Sequence, residues 1–349
     1  MKKLLLFLLC LVILVSKVNA SRTSAYEYIL MDEVTGRVLE GKNIHNPKLI
    51  ASITKIMTCI LAIESNKVND IVTVDDTILS SYGSGIYISV GEKISLKDLL
   101  YGLMLRSGND AALMIAKYVS SSVSDFVKLM NNKANEIGMK NTIFVNPSGL
   151  DNNKNGNYST AYDMALLTRY AMKNKLYRNI VKTKSYTVKT NLKTYVWKNK
   201  NKLLNYDYIT GGKTGYTELA KRTLVSTGTK DGMNFIVVTI RDSDDWNTHK
   251  TLYEETFRKY KNYLVLDKNT YQVKNNIYDN LYIKENVFIP LTKEESKNLK
   301  LNIDLEKKDK YKNNDLVGYN EIILNNKVIY NVPIYARKYS KHKKSWFDW

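Results

Sequence analysis

A serine and a lysine open an otherwise apolar segment near residue 50. Between Ser52 and Ser65, isoleucine, leucine, methionine and cysteine cover most of the circumference that a helix would present. A helix that is apolar nearly all round is a buried one. Because Ser52 and Lys55 are three positions apart, their side chains share one face of the helix. The sequence therefore predicts a serine–lysine pair at the start of a buried helix.

The Ser52–Lys55 pair has the composition of an activated nucleophile. A serine hydroxyl is a weak nucleophile and needs a base within hydrogen-bonding distance. Burial lowers the pKa of a lysine and so allows a neutral amine at neutral pH. A serine at a helix N-terminus also has a free backbone N–H for an oxyanion. The same spacing recurs at Ser340 and Lys343, which we interpret as a solvated tail.

Two further polar motifs follow along the chain. Ser107-Gly108-Asn109 falls between two predicted helices, where Ser107 can relay a proton and Asn109 can bind a substrate amide. Taken alone, this motif is better explained by an ordinary interhelical turn with an Asn cap.

The third motif, Lys213-Thr214-Gly215, follows two glycines and is predicted on or beside an edge strand. Glycines there let a peptide backbone pair with the strand, and Lys213 and Thr214 can bind a carboxylate. A glycine-rich turn is the alternative for this motif alone. The occurrence of the three motifs in this order, each in suitable local structure, favours a serine acyl-transfer site.

The first twenty residues have the pattern of a cleaved secretory signal. Lys2 and Lys3 precede an apolar run over Leu4–Val15 that is short for a membrane span. Val18-Asn19-Ala20 then resembles the A-x-A pattern of a signal cleavage site. We therefore predict an exported protein whose mature chain starts near Ser21. An uncleaved N-terminal anchor is the alternative.

Composition limits the partners and cofactors. The net charge of +19 suits anionic lipid headgroups and wall polymers, although a compositional bias toward lysine also explains it. A strongly basic chain can also bind nucleic acid, but the predicted export and the lack of RNP-like or zinc-finger patterns argue against nucleic acid as a partner. The presence of only three histidines and the lack of an H-E-x-x-H motif argue against a zinc site. Cys10 lies in the predicted signal, which leaves Cys59 as a small buried core residue.

Secondary-structure signals predict an α+β class. A hairpin at one end and a hairpin and helix at the other enclose a mostly helical middle, so one antiparallel sheet is expected to pack on a helical cluster. Short strand-like runs after residue 262 predict a small β-rich second domain. The predicted hairpins and strands cover 26–39, 185–189, 194–198, 223–229 and 233–241, and the predicted helices 52–65, 95–105, 110–119, 124–137, 159–173 and 246–260.

Residues 22–260 resemble the low-molecular-weight penicillin-binding proteins, specifically the D-alanyl-D-alanine carboxypeptidases. Ser-Gly-Asn in the second motif is similar to this family and differs from the Ser-Asp-Asn of class A β-lactamases. Besides the three motifs, the resemblance rests on Ala51–Thr58, Leu105–Ala112, Gly149–Asp151, Tyr158–Ala161 and Asp163–Ala165.

The resemblance implies a β-lactamase/transpeptidase-like catalytic domain over residues 21–261 and a small β-rich domain over 262–335. Residues 336–349 form a basic-aromatic tail. Family members often end in an amphipathic helix on the membrane, whereas this tail is short. Weak peripheral membrane contact and a simple disordered tail both remain open.

The resemblance also implies residue roles. Ser52 would be the acylated nucleophile and Lys55 its base, with Ser107 and Asn109 assisting proton transfer and amide binding. Lys213, Thr214 and the adjoining Gly215 would bind the terminal carboxylate. The backbone N–H groups of Ser52 and Tyr216 would form the oxyanion hole, and Arg241 would be an extra carboxylate contact.

The implied substrate is a peptidoglycan stem peptide ending in D-Ala-D-Ala. The reaction would release D-alanine and hydrolyse the acyl-enzyme without a cofactor, and β-lactam antibiotics would act as covalent inhibitors. Three alternatives stay open: a β-lactamase, a D,D-endopeptidase or transpeptidase on the same fold, and a catalytically silent peptidoglycan-binding protein.

Overall fold

The computed structural model describes residues 23–152, 155–275, 277–308 and 310–338. The strands within these residues are β1 Glu27–Asp32, β2 Val38–Lys42, β3 Lys48–Leu49, β4 Ile71–Thr73, β5 Lys93–Ser95, β6 Tyr158–Ser159, β7 Ser185–Lys189, β8 Thr194–Lys198, β9 Ile209–Thr217, β10 Lys221–Lys230, β11 Met233–Ile240, β12 Lys261–Leu266, β13 Asn280–Tyr282, β14 Val287–Leu291, β15 Leu299–Leu305, β16 Leu316–Leu324 and β17 Lys327–Arg337. The α-helices there are α1 Lys55–Glu64, α2 Leu96–Tyr101, α3 Asn109–Ser120, α4 Val123–Glu136, α5 Ala161–Met172, α6 Lys175–Lys182 and α7 Asp245–Lys259.

The largest sheet among the described residues is built from both ends of the first 260 residues. Its order is β2-β1-β11-β10-β9, and all neighbouring strands are antiparallel. The turn between β10 and β11 has positive φ at both Asp231 and Gly232, as a tight hairpin with right-handed strand twist requires. The predicted sheet and its hairpins are thus confirmed.

Both faces of this sheet are buried. Helix α5 packs on β1 and β11 at one face, while α7 packs on β10 and β11 at the other. Side chains of a strand alternate between faces, so Ile29 and Met31 join the large core of the helical cluster. Leu30 joins a second core with Phe235 and Leu252 under α7. The expected packing of a sheet on a helical cluster is confirmed.

Helix α1 is the central helix of the helical cluster. Every residue from Lys55 to Ile63 is buried, including Cys59. The prediction of a buried helix and that of a buried Cys59 are both confirmed. A single 3₁₀ turn over Ala51–Thr54 leads into the helix. Ala51 has a φ of 47°, and a Cβ atom on Gly149 would collide with the Ala51 carbonyl group. The loop around Gly149 therefore lies directly against the start of α1.

The other helices agree with the sequence in position, with two differences. Ser95 caps α2 by accepting a hydrogen bond from the Asp98 N–H at 3.0 Å, but α2 passes into a wider π-helical turn at Gly102–Arg106. Helix α6 was missed. Asn174 caps it, and Tyr177 and Ile180 form part of its buried face. Only three residues of this helix are buried, and charged residues lie between and around them. Such a short segment shows too few apolar positions for the helical periodicity to be recognised in the sequence.

The chain after α7 forms two small sheets within the described residues. Strand β12, which was not predicted, pairs with β14, while the second sheet has the order β13-β17-β16-β15. The predicted β-rich character of this part of the chain is confirmed, and its last strand, β17, ends at Arg337. Arg37 joins the two parts of the chain: its Nη1 lies 3.2 Å from Glu295 Oε1, and its Nη2 donates to the Pro290 carbonyl at 3.0 Å. The proposed domain boundaries stay predictions.

Two expectations fall wholly or largely outside the described residues: the signal over residues 1–20 and most of the tail over 336–349. None of the helices that the structure describes has the length and hydropathy needed to cross a bilayer.

Candidate active site

The side chain of Lys55 points to three oxygen atoms. Its Nζ lies 3.1 Å from Ser52 Oγ, 2.7 Å from Asn109 Oδ1 and 2.5 Å from the carbonyl oxygen of Ser148. The lysine is fully buried, whereas Ser52 is partly exposed. The helical spacing thus brings Ser52 and Lys55 together as predicted. The Ser148 carbonyl was not anticipated.

The surroundings of Lys55 favour a neutral amine. Burial is the main cause that lowers its pKa well below the usual value, and the positive charges of Lys213 and Lys200 lower it further. A neutral amine has two N–H donors and one lone pair. The carbonyl groups of Asn109 and Ser148 can only accept hydrogen bonds, so they occupy the two donors. The lone pair is then left for the Ser52 hydroxyl.

Ser107 and Lys213 form the second half of the constellation. Ser107 follows the π-helical turn and has a left-handed φ of 65°, a conformation typical of functional sites in a non-glycine residue. Lys213 Nζ donates to Ser107 Oγ at 3.0 Å and to the Thr214 carbonyl at 2.6 Å. Burial lowers the pKa of Lys213 to about 7, with a further contribution from Lys200.

Strand β9 presents the third motif at the edge of the sheet. Within the described strands it pairs only with β10, so one of its edges has no strand partner. A Cβ atom on Gly215 would lie 2.9 Å from the backbone nitrogen of Ser52. Only a glycine therefore lets β9 come this close to the start of α1. Tyr216 follows with an exposed side chain.

A cleft of about 340 Å³ lies over these groups. It contains residues that the sequence analysis did not single out, because they come from separate loops and strands. Lys200, for example, donates from its Nζ to Ser84 Oγ at 3.1 Å. The lining consists of Ser52, Ser84, Ser107, Lys200, Thr214, Gly215, Tyr216, Arg222, Asp245 and Trp246.

Arg241 is placed differently from the expectation. Its guanidinium carbon lies 5.2 Å from the ring centre of Tyr26, and it is not among the residues that line the cleft. Arg222 lines the cleft instead: its Nη2 lies 2.6 Å from Asp245 Oδ1, and its guanidinium carbon lies 5.4 Å from the Trp246 ring. Arg222 lies one residue before the strand predicted over 223–229, so the prediction would have placed it on β10 if that strand had begun one residue earlier.

A second cleft has a volume of about 510 Å³. Asn109 and Ser148 line it, and both also contact Lys55. Asn109 Nδ2 donates to the Tyr82 carbonyl at 2.6 Å, which ties the amide to the loop that forms one wall. In the part of the chain that the structure describes, no group of three or more His, Cys, Asp or Glu side chains could hold a metal.

Comparison with known families gives two matches. The model of the D-alanyl-D-alanine carboxypeptidase family matches residues 15–244, and that of the penicillin-binding protein 5 C-terminal domain matches residues 259–341. The chain is similar to the penicillin-binding protein 5 structure from Haemophilus influenzae, with 25% identity, a TM-score of 0.74, and coverage of 90% of this chain and 97% of that one.

Relatives of known name point the same way. The D-alanyl-D-alanine carboxypeptidase DacF of Bacillus subtilis is 37% identical over 64% of this chain, and the match spans 60% of that protein. A D-alanyl-D-alanine carboxypeptidase of Streptomyces sp. is 38% identical over 59% of this chain and 77% of its own length. Since the family model covers well over half of the residues, the chain belongs to the D-alanyl-D-alanine carboxypeptidase family.

Proposed function

We propose that this chain is a serine-type carboxypeptidase that removes the terminal D-alanine from peptidoglycan stem peptides ending in D-Ala-D-Ala. The observation that carries the proposal is the fully buried Lys55, whose Nζ lies 3.1 Å from the partly exposed Ser52 hydroxyl. A buried neutral amine beside a serine that opens onto a cleft is a base and nucleophile pair. Family membership supplies the substrate class.

Acylation begins with attack of Ser52 Oγ on the carbonyl carbon of the penultimate D-alanine. Lys55 Nζ accepts the hydroxyl proton as the new C–O bond forms. The negative charge on the former carbonyl oxygen is stabilised by the backbone N–H groups of Ser52 and Tyr216. Gly215 brings these two segments together, because its backbone packs against the nitrogen of Ser52.

Collapse of this intermediate breaks the C–N bond and releases D-alanine. The leaving nitrogen needs a proton, and the Ser107 hydroxyl can deliver it. Lys213 Nζ, 3.0 Å from Ser107 Oγ, replaces the proton that Ser107 gives up. Asn109 fixes Lys55 during these transfers and presents its amide at the wall of the second cleft.

Selection of a C-terminal peptide needs a site for its carboxylate. Thr214, Arg222 and Lys200 line the cleft with a hydroxyl group and two cations, and Lys213 lies behind it with its Nζ 3.0 Å from Ser107 Oγ. A carboxylate is recognised best by such charge-assisted hydrogen bonds. We therefore assign the carboxylate contact to Arg222 rather than to Arg241.

Hydrolysis of the acyl-enzyme uses the same residues once proton exchange with solvent has returned Lys55 to the neutral amine and Lys213 to the ammonium form. Lys55 then accepts a proton from the attacking water and returns it to Ser52 Oγ as the ester C–O bond breaks. Rapid β-lactamase turnover needs an additional general base near the ester. Among the described residues that line the cleft, Asp245 is the only acid, and it is paired with Arg222. We therefore expect benzylpenicillin to form a long-lived adduct. A D,D-endopeptidase would use the same groups and differ only in the amine that leaves.

Peptidoglycan lies outside the cytoplasm, so this function requires export. The pattern over residues 1–20 fits a secretory signal, and the basic tail over 336–349 fits a membrane headgroup surface. We keep both as parts of the proposal.

The test is mass spectrometry of the intact purified protein after brief exposure to benzylpenicillin, with peptide mapping and a parallel assay for released D-alanine. We expect a stable adduct on the peptide that contains Ser52, D-alanine release from an acyl-D-Ala-D-Ala peptide, and neither activity in Ser52→Ala. No adduct with intact antibiotic would favour the silent binding protein, and no adduct with hydrolysed antibiotic would favour a β-lactamase.

A further inference from the structure

Asp110 is a buried carboxylate that the proposed reaction leaves without a role. It follows Asn109 at the start of α3, and only 6% of its surface is exposed. Its Oδ1 accepts hydrogen bonds from the backbone N–H groups of Ile86 at 3.0 Å and Ala111 at 2.8 Å. Its Oδ2 accepts from the Tyr87 N–H at 2.7 Å. Both oxygens are thus occupied by backbone donors, two of them in a distant loop.

The loop held by Asp110 is strained at Tyr87. This residue has a φ of 61° although its side chain is largely exposed, so no side-chain packing explains the conformation. A left-handed conformation is unfavourable for a non-glycine residue, because its Cβ atom comes too close to the following carbonyl oxygen. The Tyr87 carbonyl also accepts from Lys193 Nζ at 2.7 Å and from the Tyr195 hydroxyl at 3.2 Å. These hydrogen bonds and those to Asp110 hold the strained residue in place.

The same loop contacts the catalytic groups. The Ser84 carbonyl accepts from the Asn109 backbone N–H at 2.7 Å, and the Tyr82 carbonyl accepts from the Asn109 side chain at 2.6 Å. Ser84 also accepts from Lys200 and lines the first cleft, while Tyr82 lines the second. A displaced loop would therefore move the amide that holds Lys55 and alter both clefts.

Charge provides an independent connection to Lys55. The cations that face this lysine are Lys213 and Lys200, and both lower its pKa beyond the effect of burial. Asp110 is the carboxylate that acts in the opposite direction and raises this pKa. Replacing Asp110 by a neutral residue should therefore lower the pKa of Lys55 still further.

We propose that Asp110 is a positioning residue of this active site, which fixes the loop over residues 82–87 against Asn109 and places a negative charge near Lys55. The proposal rests on the proposed acyl-transfer function. Asp110 touches neither substrate nor reacting atoms, so it acts through Asn109 and Lys55.

The test compares Asp110→Asn with the wild-type protein in the rate of acylation by benzylpenicillin from pH 5 to pH 9. In the wild-type protein, each carboxylate oxygen of Asp110 accepts a hydrogen bond from a backbone N–H. The amide nitrogen of the asparagine must therefore face one of these N–H groups, and two donors cannot form a hydrogen bond. We expect acylation to slow about tenfold or more, since a lost charged hydrogen bond costs roughly 1.5–3 kcal/mol. We also expect the acidic limb of the rate profile to move to lower pH, because a less basic Lys55 becomes neutral at lower pH.

Asp163→Asn is the matched control. Asp163 is also buried, and it accepts from the Asn141 backbone N–H and the Thr142 hydroxyl, both at 2.8 Å, but it is not among the groups that shift the pKa of Lys55. Its replacement should lower thermal stability while the acidic limb stays in place. An Asp110→Asn protein with an unmoved limb, or with the wild-type rate, would overturn the proposal. A wild-type protein that is not acylated would instead contradict the proposed function.

Two further variants test the loop itself. Tyr87→Gly removes the left-handed penalty, so adding it to Asp110→Asn should recover acylation by about fivefold, which corresponds to roughly 1 kcal/mol. Lys193→Met is the alternative variant to use if Asp110→Asn does not fold. It removes the hydrogen bond from Lys193 Nζ to the Tyr87 carbonyl and should slow acylation about threefold. An unchanged rate in Lys193→Met would count against the positioning role.

Discussion

The backbone of Gly215 lies against the backbone nitrogen of Ser52, so close that a Cβ atom on Gly215 would come within 2.9 Å of it. Strand β9 and the start of α1 are far apart in sequence, and they meet at this contact. The contact sets the distance between the nucleophile and the strand that would bind the peptide. In the proposed mechanism the same contact would bring the N–H group of Ser52 near that of Tyr216, the residue after Gly215.

Gly215→Ala should therefore impair acylation more than it impairs folding. Overpacking costs about 1–3 kcal/mol of stability, whereas displacement of an oxyanion donor lowers the rate by about 100-fold or more. Gly211→Ala is the control on the same strand, since its Cβ would meet Val181 instead of Ser52. The two variants should lose similar stability in thermal melts. Equal acylation rates by benzylpenicillin in both would refute this role of Gly215.

Helical spacing explains why the sequence predicted the Ser52–Lys55 pair. The geometry of residues three apart on a helix is local and does not depend on the remaining fold. The contact of Lys55 with the Ser148 carbonyl could not be predicted from the sequence. The two residues are 93 positions apart, and a backbone oxygen has no side chain that would mark it in the sequence. Arg222 was missed for a related reason: which strand residues line a cleft depends on sheet register and on α7, which only the tertiary structure defines.

The buried Lys213 should make substrate binding depend on pH. Its pKa of about 7 means that the cation is lost as pH rises through neutrality, and with it part of the attraction for a carboxylate. The KM of an acyl-D-Ala-D-Ala substrate should therefore rise above pH 7. A substrate with a C-terminal amide in place of the carboxylate is the control and should show a much weaker trend. Parallel trends for both substrates would argue against a carboxylate contact by Lys213.

The same burial has a consequence for stability. Lys213 is half-protonated near pH 7 when folded but keeps its proton up to about pH 10.5 when unfolded. Unfolding therefore takes up a proton between these values, so the free energy of unfolding should rise with pH by up to about 1.4 kcal/mol per unit from this residue. Below pH 7 both states are protonated and the slope disappears.

Chemical denaturation of Lys213→Met at several pH values checks this slope. The variant should be more stable than the wild type near pH 7, and its advantage should shrink toward pH 10, because it carries no buried lysine to deprotonate. Exposed Lys173→Met is the control and should parallel the wild type. A Lys213→Met protein whose stability difference from the wild type stays constant with pH would show that Lys213 titrates normally in the folded state.

Arg222 should determine the preference for a free C-terminal carboxylate. Asp245 and Trp246 hold its guanidinium at the cleft, yet the side chain remains 39% exposed and available to a ligand. In Arg222→Gln, the ratio of kcat/KM for the carboxylate substrate to that for its C-terminal amide should fall about tenfold, as expected for loss of one charged hydrogen bond of roughly 1.5 kcal/mol.

Arg241→Gln is the matched control, because Arg241 packs on Tyr26 and does not line the cleft. Its ratio should stay at the wild-type value. The opposite pattern, with the ratio reduced in Arg241→Gln and unchanged in Arg222→Gln, would restore the original prediction from the sequence. Because a lost structural role of either arginine would lower activity toward both substrates equally, the ratio separates carboxylate recognition from damage to the fold.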